Sequence, residues 1–238
     1  MRWLMAVLVS CLLGTAQAAE PPVEQTAVVE QLLQLTDTRG FLARYSLGTN
    51  LDELASDIPP DLHQAIQGAL VRTFRPEALY GSFVKAFHAG YEKEKATAAL
   101  EWLSSPAGIK VTQAEKDSRT PSSEAAMRQF IAQSDTSSPS ERRTSLVQRL
   151  MRAQDVVSAL VELDLATFYG VAKPIDQLRP PERRLGPKGL AAVADSMRNN
   201  QPYDELERSL LSALLFTYQA LSDDELERYV EFSETDAG

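Results

Sequence analysis

The sequence predicts an all-α protein, a helical bundle or short helical array made of two weakly similar halves. Three observations predict it. Apolar residues recur at spacings of three and four along most of the chain, which sets them on one stripe of a helix. Pro and Gly punctuate those stretches at helix-length intervals. No stretch alternates apolar and polar residues as a half-buried strand does. With 44% hydrophobic residues in 238, apolar material is ample for a core, since a chain of this size buries roughly 70% of its unfolded surface.

Residues 1–18 read as a secretory signal peptide. Arg2 gives the positive start, Trp3 to Leu13 form the apolar run, and Ala16-Gln17-Ala18 is a small-x-small cleavage site. No later stretch reaches the ~20 apolar residues a spanning helix needs, so an exported chain without a transmembrane span is expected. Leu8-Val9-Ser10-Cys11 has the residue types of a lipoprotein box, but apolar residues continue past Cys11. Cleavage at Ala18 removes this one cysteine, which suits an oxidising compartment.

The first helix is expected at Val23–Leu35, with Val28, Leu32 and Leu35 on one side and Val29 and Leu33 beside them. A second covers Thr38–Ala55. Pro59-Pro60 breaks the chain, and a third follows over Asp61–Phe74 with Leu62, Ile66, Ala69 and Leu70 inward. Pro76 fits the first position of the next helix, whose inner side carries Leu79, Phe83, Ala86 and Phe87. Another runs from Tyr91 to Ser104, with Ala96, Ala99, Leu100 and Leu103 aligned. Ser105 caps and Pro106 opens a helix reaching about Lys116.

Residues 19–119 thus form an N-terminal half and 120–139 a connecting segment rich in Ser, Thr and Pro, within which Ala125, Ala126, Phe130 and Ile131 suit a small helix. Ser138-Pro139-Ser140-Glu141 has capping-box spacing and opens the C-terminal half, 140–238. A long helix, broken near Gln154, is expected to Tyr169, then a Pro- and Arg-rich loop over Pro174–Gly189. The last two helices are expected at Pro202–Leu221 and Asp223–Glu234.

The halves show faint internal similarity. A shift of 118 pairs Val29 with Val147, Leu32 with Leu150, Asp37 with Asp155 and Leu42 with Leu160. A shift of 130 pairs Glu101 with Glu231, Trp102 with Phe232, and Ala107-Gly108 with Ala237-Gly238. In both halves the first match precedes the second, which favours an ancient duplication over the similarity that any two amphipathic helices share.

Glu101-Trp102-Leu103-Ser104-Ser105-Pro106-Ala107-Gly108-Ile109-Lys110 resembles the aromatic, Ser-Pro-x-Gly-x-Lys stretch of the domain of unknown function 2059 family. The resemblance covers about Tyr80 to Glu115, with a fainter echo at Leu210–Gly238. It implies an all-helical periplasmic protein and carries no assigned activity. Leu103 stands where the family has a second aromatic, and Thr235-Asp236 stand where Ser-Pro would fall in the second copy. Read physically, Trp102, Ser105, Pro106 and Gly108 build a helix–helix corner: a large ring, an N-cap, a first-turn Pro and a site of close backbone approach.

The functional classes narrow by exclusion. There are 24 Lys+Arg against 33 Asp+Glu, a net charge of −9, which argues against broad nucleic-acid binding. Two His and one Cys leave little for a zinc or iron–sulfur centre, and His63 and His88 have no ligand spacing. Ser222-Asp223-Asp224-Glu225 reads as a capping box with acids complementing the helix dipole, and an Asp224–Arg228 pair could add to it. Tyr91-Glu92-Lys93-Glu94-Lys95 reads as a solvated face. Two basic groups stand out: Arg142, Arg143, Arg149 and Arg152 on one helix, and Arg179, Arg183, Arg184 and Lys188 in the long loop. They either meet an anionic partner or neutralise neighbouring carboxylates.

No phosphate loop, nucleophile elbow or metalloprotease motif is present, and no catalytic, cofactor or metal residue is expected. The expected function is a non-enzymatic binding or protein-interaction module, with a protein partner or a small apolar ligand held between the halves or on an exposed helix face. One alternative is a cell-envelope hydrolase, drawing on carboxylates such as Glu101 or Asp155 set about 5–9.5 Å apart. The other is a carrier with an apolar cavity of at least ~300 Å³.

Overall fold

The computed structural model describes residues 22–48, 75–133 and 139–238, with Gly68 and Val71, and only the backbone of 44–48 and 133. The signal segment, Cys11, His63 and most of the third expected helix lie outside the described residues. Among those described, every regular element is a helix.

The N-terminal half contains α1 (Val23–Leu35), α2 (Thr38–Gly48), α3 (Pro76–Ala89) and α4 (Lys93–Leu103). Then come α5 (Pro106–Ser118), α6 (Pro121–Gln133), α7 (Glu141–Ala153) and α8 (Val156–Leu178). A 3₁₀ turn at Pro181–Arg183 precedes α9 (Gly186–Asn199), α10 (Tyr203–Thr217) and α11 (Asp223–Ser233).

The bounds of α1 are those expected, but Val28 and Leu35 of the expected stripe are half-buried, and its buried positions are Val29, Leu32 and Leu33. Each such side chain contributes about 1.5–3 kcal/mol on leaving water. They meet Leu42 of α2, Phe83 and Phe87 of α3, and Ala96 and Leu103 of α4 in the first core. The second core joins Val111 of α5, Leu146, Val147, Leu150 and Met151 of α7, Leu215 of α10, and Leu226, Tyr229 and Val230 of α11. A smaller cluster of Val161, Leu165 and Ala194 fastens α8 to α9. Half-buried Trp102 packs against both large cores.

The two halves share a pattern of breaks. Helices α1 and α7 each have 13 residues and begin 118 residues apart. Each ends in a two-residue turn whose second residue, Asp37 or Asp155, sits at φ 50°. Asp tolerates that left-handed conformation better than most residues. Helices α4 and α11 each have 11 residues and begin 130 residues apart.

Several boundaries differ from the sequence expectation. The long helix is broken where expected, at Gln154-Asp155, but α8 runs on through Pro174 to Leu178. The expected Pro174–Gly189 loop shrinks accordingly, and α9 is an element that periodicity missed. The cap of α7 is Ser140, whose hydroxyl accepts from the Arg143 amide at 3.1 Å, two residues later than the expected Ser138. The connecting segment holds a full helix, α6, whose Phe130 meets Phe216 edge-on. Helix α5, counted with the N-terminal half, packs against α10 and α11 of the other half.

Candidate functional site

The corner at the end of α4 forms as its residue types demand. The Ser104 amide donates to the Leu100 carbonyl and the Ser105 amide to the Trp102 carbonyl, both at 3.0 Å. Ser105 then caps α5, its hydroxyl accepting from the Gly108 amide at 3.1 Å, with Pro106 in the first turn. A Cβ on Gly108 would lie 2.2 Å from the Trp102 carbonyl oxygen, so only glycine fits this turn.

The same bonds recur at the end of α11. Glu234 donates to Val230 at 2.9 Å and Thr235 to Phe232 at 3.0 Å. Thr235 Oγ1 accepts from the Gly238 amide at 3.3 Å, and a Cβ on Gly238 would lie 2.2 Å from the Phe232 carbonyl oxygen.

Between the two corners the Trp102 ring stacks on Phe232, with centroids 4.4 Å apart and planes 9° apart, and on Tyr229 at 5.1 Å. Beside this stack is a groove of about 680 Å³, open to solvent. Ala98, Trp102, Phe232 and Ala237 give it an apolar floor, and Glu92, Glu94, Glu101 and Asp236 line its rim. Lys95 is the cation in the lining. Its ammonium lies 2.8 Å from Glu92, which with the charge of Asp236 holds it above the ordinary lysine range.

Under the stack lies a buried polar cluster that sequence reasoning missed. Glu115 Oε1 accepts from the Tyr218 hydroxyl at 2.9 Å and the Tyr229 hydroxyl at 3.1 Å. Gln154 Nε2 donates to the Tyr229 oxygen at 2.8 Å and to Ser233 Oγ at 3.2 Å. Burial, and then the Glu115 charge, push both phenols well above the ordinary tyrosine range, so they stay protonated and donate. One signal was available: Glu115 lies four residues after Val111, on the buried stripe of α5.

Three arginines of α7 neutralise carboxylates of α11 and of the turn after it, while Arg152 is exposed. Arg142 contacts Asp224 at 2.8 Å and Glu227 at 2.9 Å, and Arg149 meets Glu234 at 2.8 Å. Arg143 binds Asp223 at 2.8 Å and donates to the Tyr218 and Leu221 carbonyls. Asp224 therefore faces Arg142 across the interface, where the sequence suggested Arg228. The Ser222–Glu225 capping box forms in full.

In the basic loop, Asp176 accepts from the Leu185 and Gly186 amides at 2.7 and 2.9 Å, which holds its carboxyl below the usual range. Arg184 donates to the Arg179 and Gln177 carbonyls. This ties the loop between α8 and α9 into one shape, with Arg179 and Arg183 exposed on it, while Lys188, expected in the loop, is exposed in the first turn of α9.

His88 is half-buried on α3, where Gln25 Nε2 lies 3.2 Å from its Nδ1 and 3.1 Å from its carbonyl oxygen. Burial lowers its pKa, partly opposed by Glu30. Glu101 stands on the groove rim while Asp155 occupies the α7–α8 turn, outside the groove lining. A second groove of about 480 Å³, lined by Ala192, Val193, Ser196 and Met197 of α9 and by Asn200 just after it, is also open to solvent. Among the described residues no group of three or more His, Cys, Asp and Glu could hold a metal ion. Nor, among them, is any helix long and apolar enough to cross a membrane.

No family model, curated protein or solved structure matches the chain.

Proposed function

We propose that this protein is an exported, non-enzymatic interaction module built from two copies of one helical unit, and that it holds its partner in the groove beside Trp102. The observation that carries the reading is the acid-rimmed groove itself. It exposes part of a large aromatic stack at the junction of the two cores. Exposed aromatic and apolar floor within a polar rim is the anatomy of a protein-binding patch. The buried polar cluster of Glu115 with Tyr218, Tyr229 and Gln154 is occupied with its own hydrogen bonds. It serves the core, not a reacting substrate.

Duplication is supported by the paired 13- and 11-residue helices, the matching left-handed Asp37 and Asp155, and the equivalent crowding at Gly108 and Gly238. The likeness of Glu101–Lys110 to the domain of unknown function 2059 family belongs to the same reading, as does export through Arg2, the apolar run and the Ala16-Gln17-Ala18 site.

Site-specific photocrosslinking tests it. A photoreactive residue replacing Ala98 or Thr235 should give one discrete adduct in intact cells, while one replacing Ser209, exposed on α10, should not. Equal, diffuse labelling at all three positions would overturn the reading. Sequencing of the exported chain should start at Ala19.

A further inference from the structure

The groove has an occupied counterpart elsewhere in the molecule. Shifting by 130 carries α4 onto α11 and the corner after Trp102 onto the one after Phe232. A two-fold that exchanges the halves must exchange Trp102 with Phe232. Equivalent residues that touch one another lie at such an axis, and these two rings are stacked. On the α11 side, the chain leaving the first corner becomes α5 and packs against α10 and α11. Its Lys110 ammonium pairs with Glu225, its Val111 enters the core, and its Glu115 meets Tyr218 and Tyr229.

On the α4 side, the same shift places Glu92, Glu94, Lys95, Ala98 and Glu101 where α11 has Ser222, Asp224, Glu225, Arg228 and Glu231. These α4 residues line the open groove, and its other wall is Phe232–Ala237, the counterpart of the corner that leads into α5.

We propose that the groove receives an amphipathic helix of a partner protein, seated on α4 as the first turns of α5 are seated on α11, with a basic face. The proposal rests on the interaction-module reading above and names the partner's chemistry. The apolar stripe of the helix meets Ala98, Trp102 and Phe232, at the i, i+4 spacing a helix offers. Glu94, Glu101 and Asp236 call for Lys or Arg, because the lysine in the lining already faces Glu92. Lys95 stands where α11 has Glu225, so the position that is Lys110 in α5 becomes acidic in the partner. The counterpart of Tyr229 is Ala99, and His88, the counterpart of Tyr218, is already engaged by Gln25, so the position of Glu115 becomes apolar.

These substitutions define a probe. A 15-residue peptide of Ser105–Arg119 with Lys110→Glu, Glu115→Leu and Asp117→Lys is titrated into the full-length chain carrying Trp3→Phe, in which Trp102 is the one tryptophan. A saturable change in Trp102 emission below ~1 mM is expected, with a gain of peptide helicity by circular dichroism. Reversing the rim with Glu94→Lys and Glu101→Lys should weaken binding by about tenfold or more at low salt. Filling the groove with Ala98→Trp blocks the peptide without altering charge, and its binding is read on isotope-labelled peptide.

Absence of saturable binding, binding indifferent to both changes, or a self-association that buries Ala98 overturns the helix proposal. So does a crosslinked cellular partner that meets Ala98 through an extended or acidic segment, although that result would leave the interaction-module reading standing.

Discussion

Trp102 and Phe232, 130 residues apart in the chain, lie ring on ring with centroids 4.4 Å apart at corresponding positions of α4 and α11. Each is the penultimate residue of its helix, and each offers its carbonyl to the turn that follows. The contact therefore ties two helix ends and two cores at one point. Stacking of two such rings adds about 0.5–1.5 kcal/mol beyond the area removed from water.

Replacing Trp102 by Ala should destabilise the protein by about 3 kcal/mol, the low end for loss of a large aromatic because the ring is only half-buried. Trp102→Phe retains a stack with Phe232 and should cost less than half of that. Urea unfolding followed by circular dichroism at 222 nm separates the two. Equal losses would mean that the ring's size, and not its stacking, holds the junction.

The corner glycines give a signed contrast. Gly108→Ala drives a methyl into the Trp102 carbonyl, and relief requires the backbone to move, costing about 1–3 kcal/mol. At Gly81, inside α3, a Cβ meets nothing within 4 Å. Gly81→Ala should therefore stabilise, by up to about 1 kcal/mol through helix propensity. Thermal unfolding of the two variants should shift in opposite directions.

The buried cluster predicts unequal tyrosines. Tyr229→Phe removes a hydroxyl that both donates to Glu115 and accepts from Gln154, so two buried groups lose a partner. Tyr218→Phe removes one bond and leaves Glu115 with Tyr229. Each buried hydrogen bond contributes about 0.5–1.5 kcal/mol, more where a carboxylate accepts, so Tyr229→Phe, which removes two, should be the more damaging. A double-mutant cycle should show coupling, since both hydroxyls share one carboxylate oxygen.

What the sequence made legible follows from which forces are local. The ends of α1 and the starts of α3 and α5 were readable because a Pro, a cap or an apolar stripe decides them within one turn. The continuation of α8 through Pro174 was not. Proline's missing amide is a local penalty that neighbouring packing can outweigh, and α8 is held by α9 and α10. Helix α9 hid behind a Pro-, Gly- and Arg-rich start whose conformation is set by Asp176, ten residues before Gly186. The corner residues of the candidate site were legible as a motif, since caps and first-turn prolines are local. The groove was not, because its walls come from α4 and from residues 130 or more further on. The place of Glu115 on the buried stripe of α5 was legible, but its partners were not, because they lie over 100 residues away.

The Lys110–Glu225 pair predicts a pH dependence with a defined sign. Glu225 occupies the third position of α11, where one carboxylate oxygen accepts from the Ser222 amide and the other meets the Lys110 ammonium that α5 brings over. Lys110, and then the Ser222 amide, lower its pKa from 4.5 to about 2. A carboxyl that is more acidic folded than unfolded binds fewer protons in the native state, so stability rises with pH across that interval. The contribution is complete above about pH 5, falls as pH drops through 4.5, and is gone near pH 2. Wild type and Glu225→Gln should therefore differ in unfolding free energy by a constant amount near neutrality and converge toward pH 2. Lys110→Met removes the larger cause and should return the Glu225 pKa part of the way to 4.5, the Ser222 bond holding the remainder. Carboxyl-carbon NMR titration of residue 225 in the two proteins reads this directly. An unchanged titration in Lys110→Met would show that α5 is not fastened to α11 by this pair.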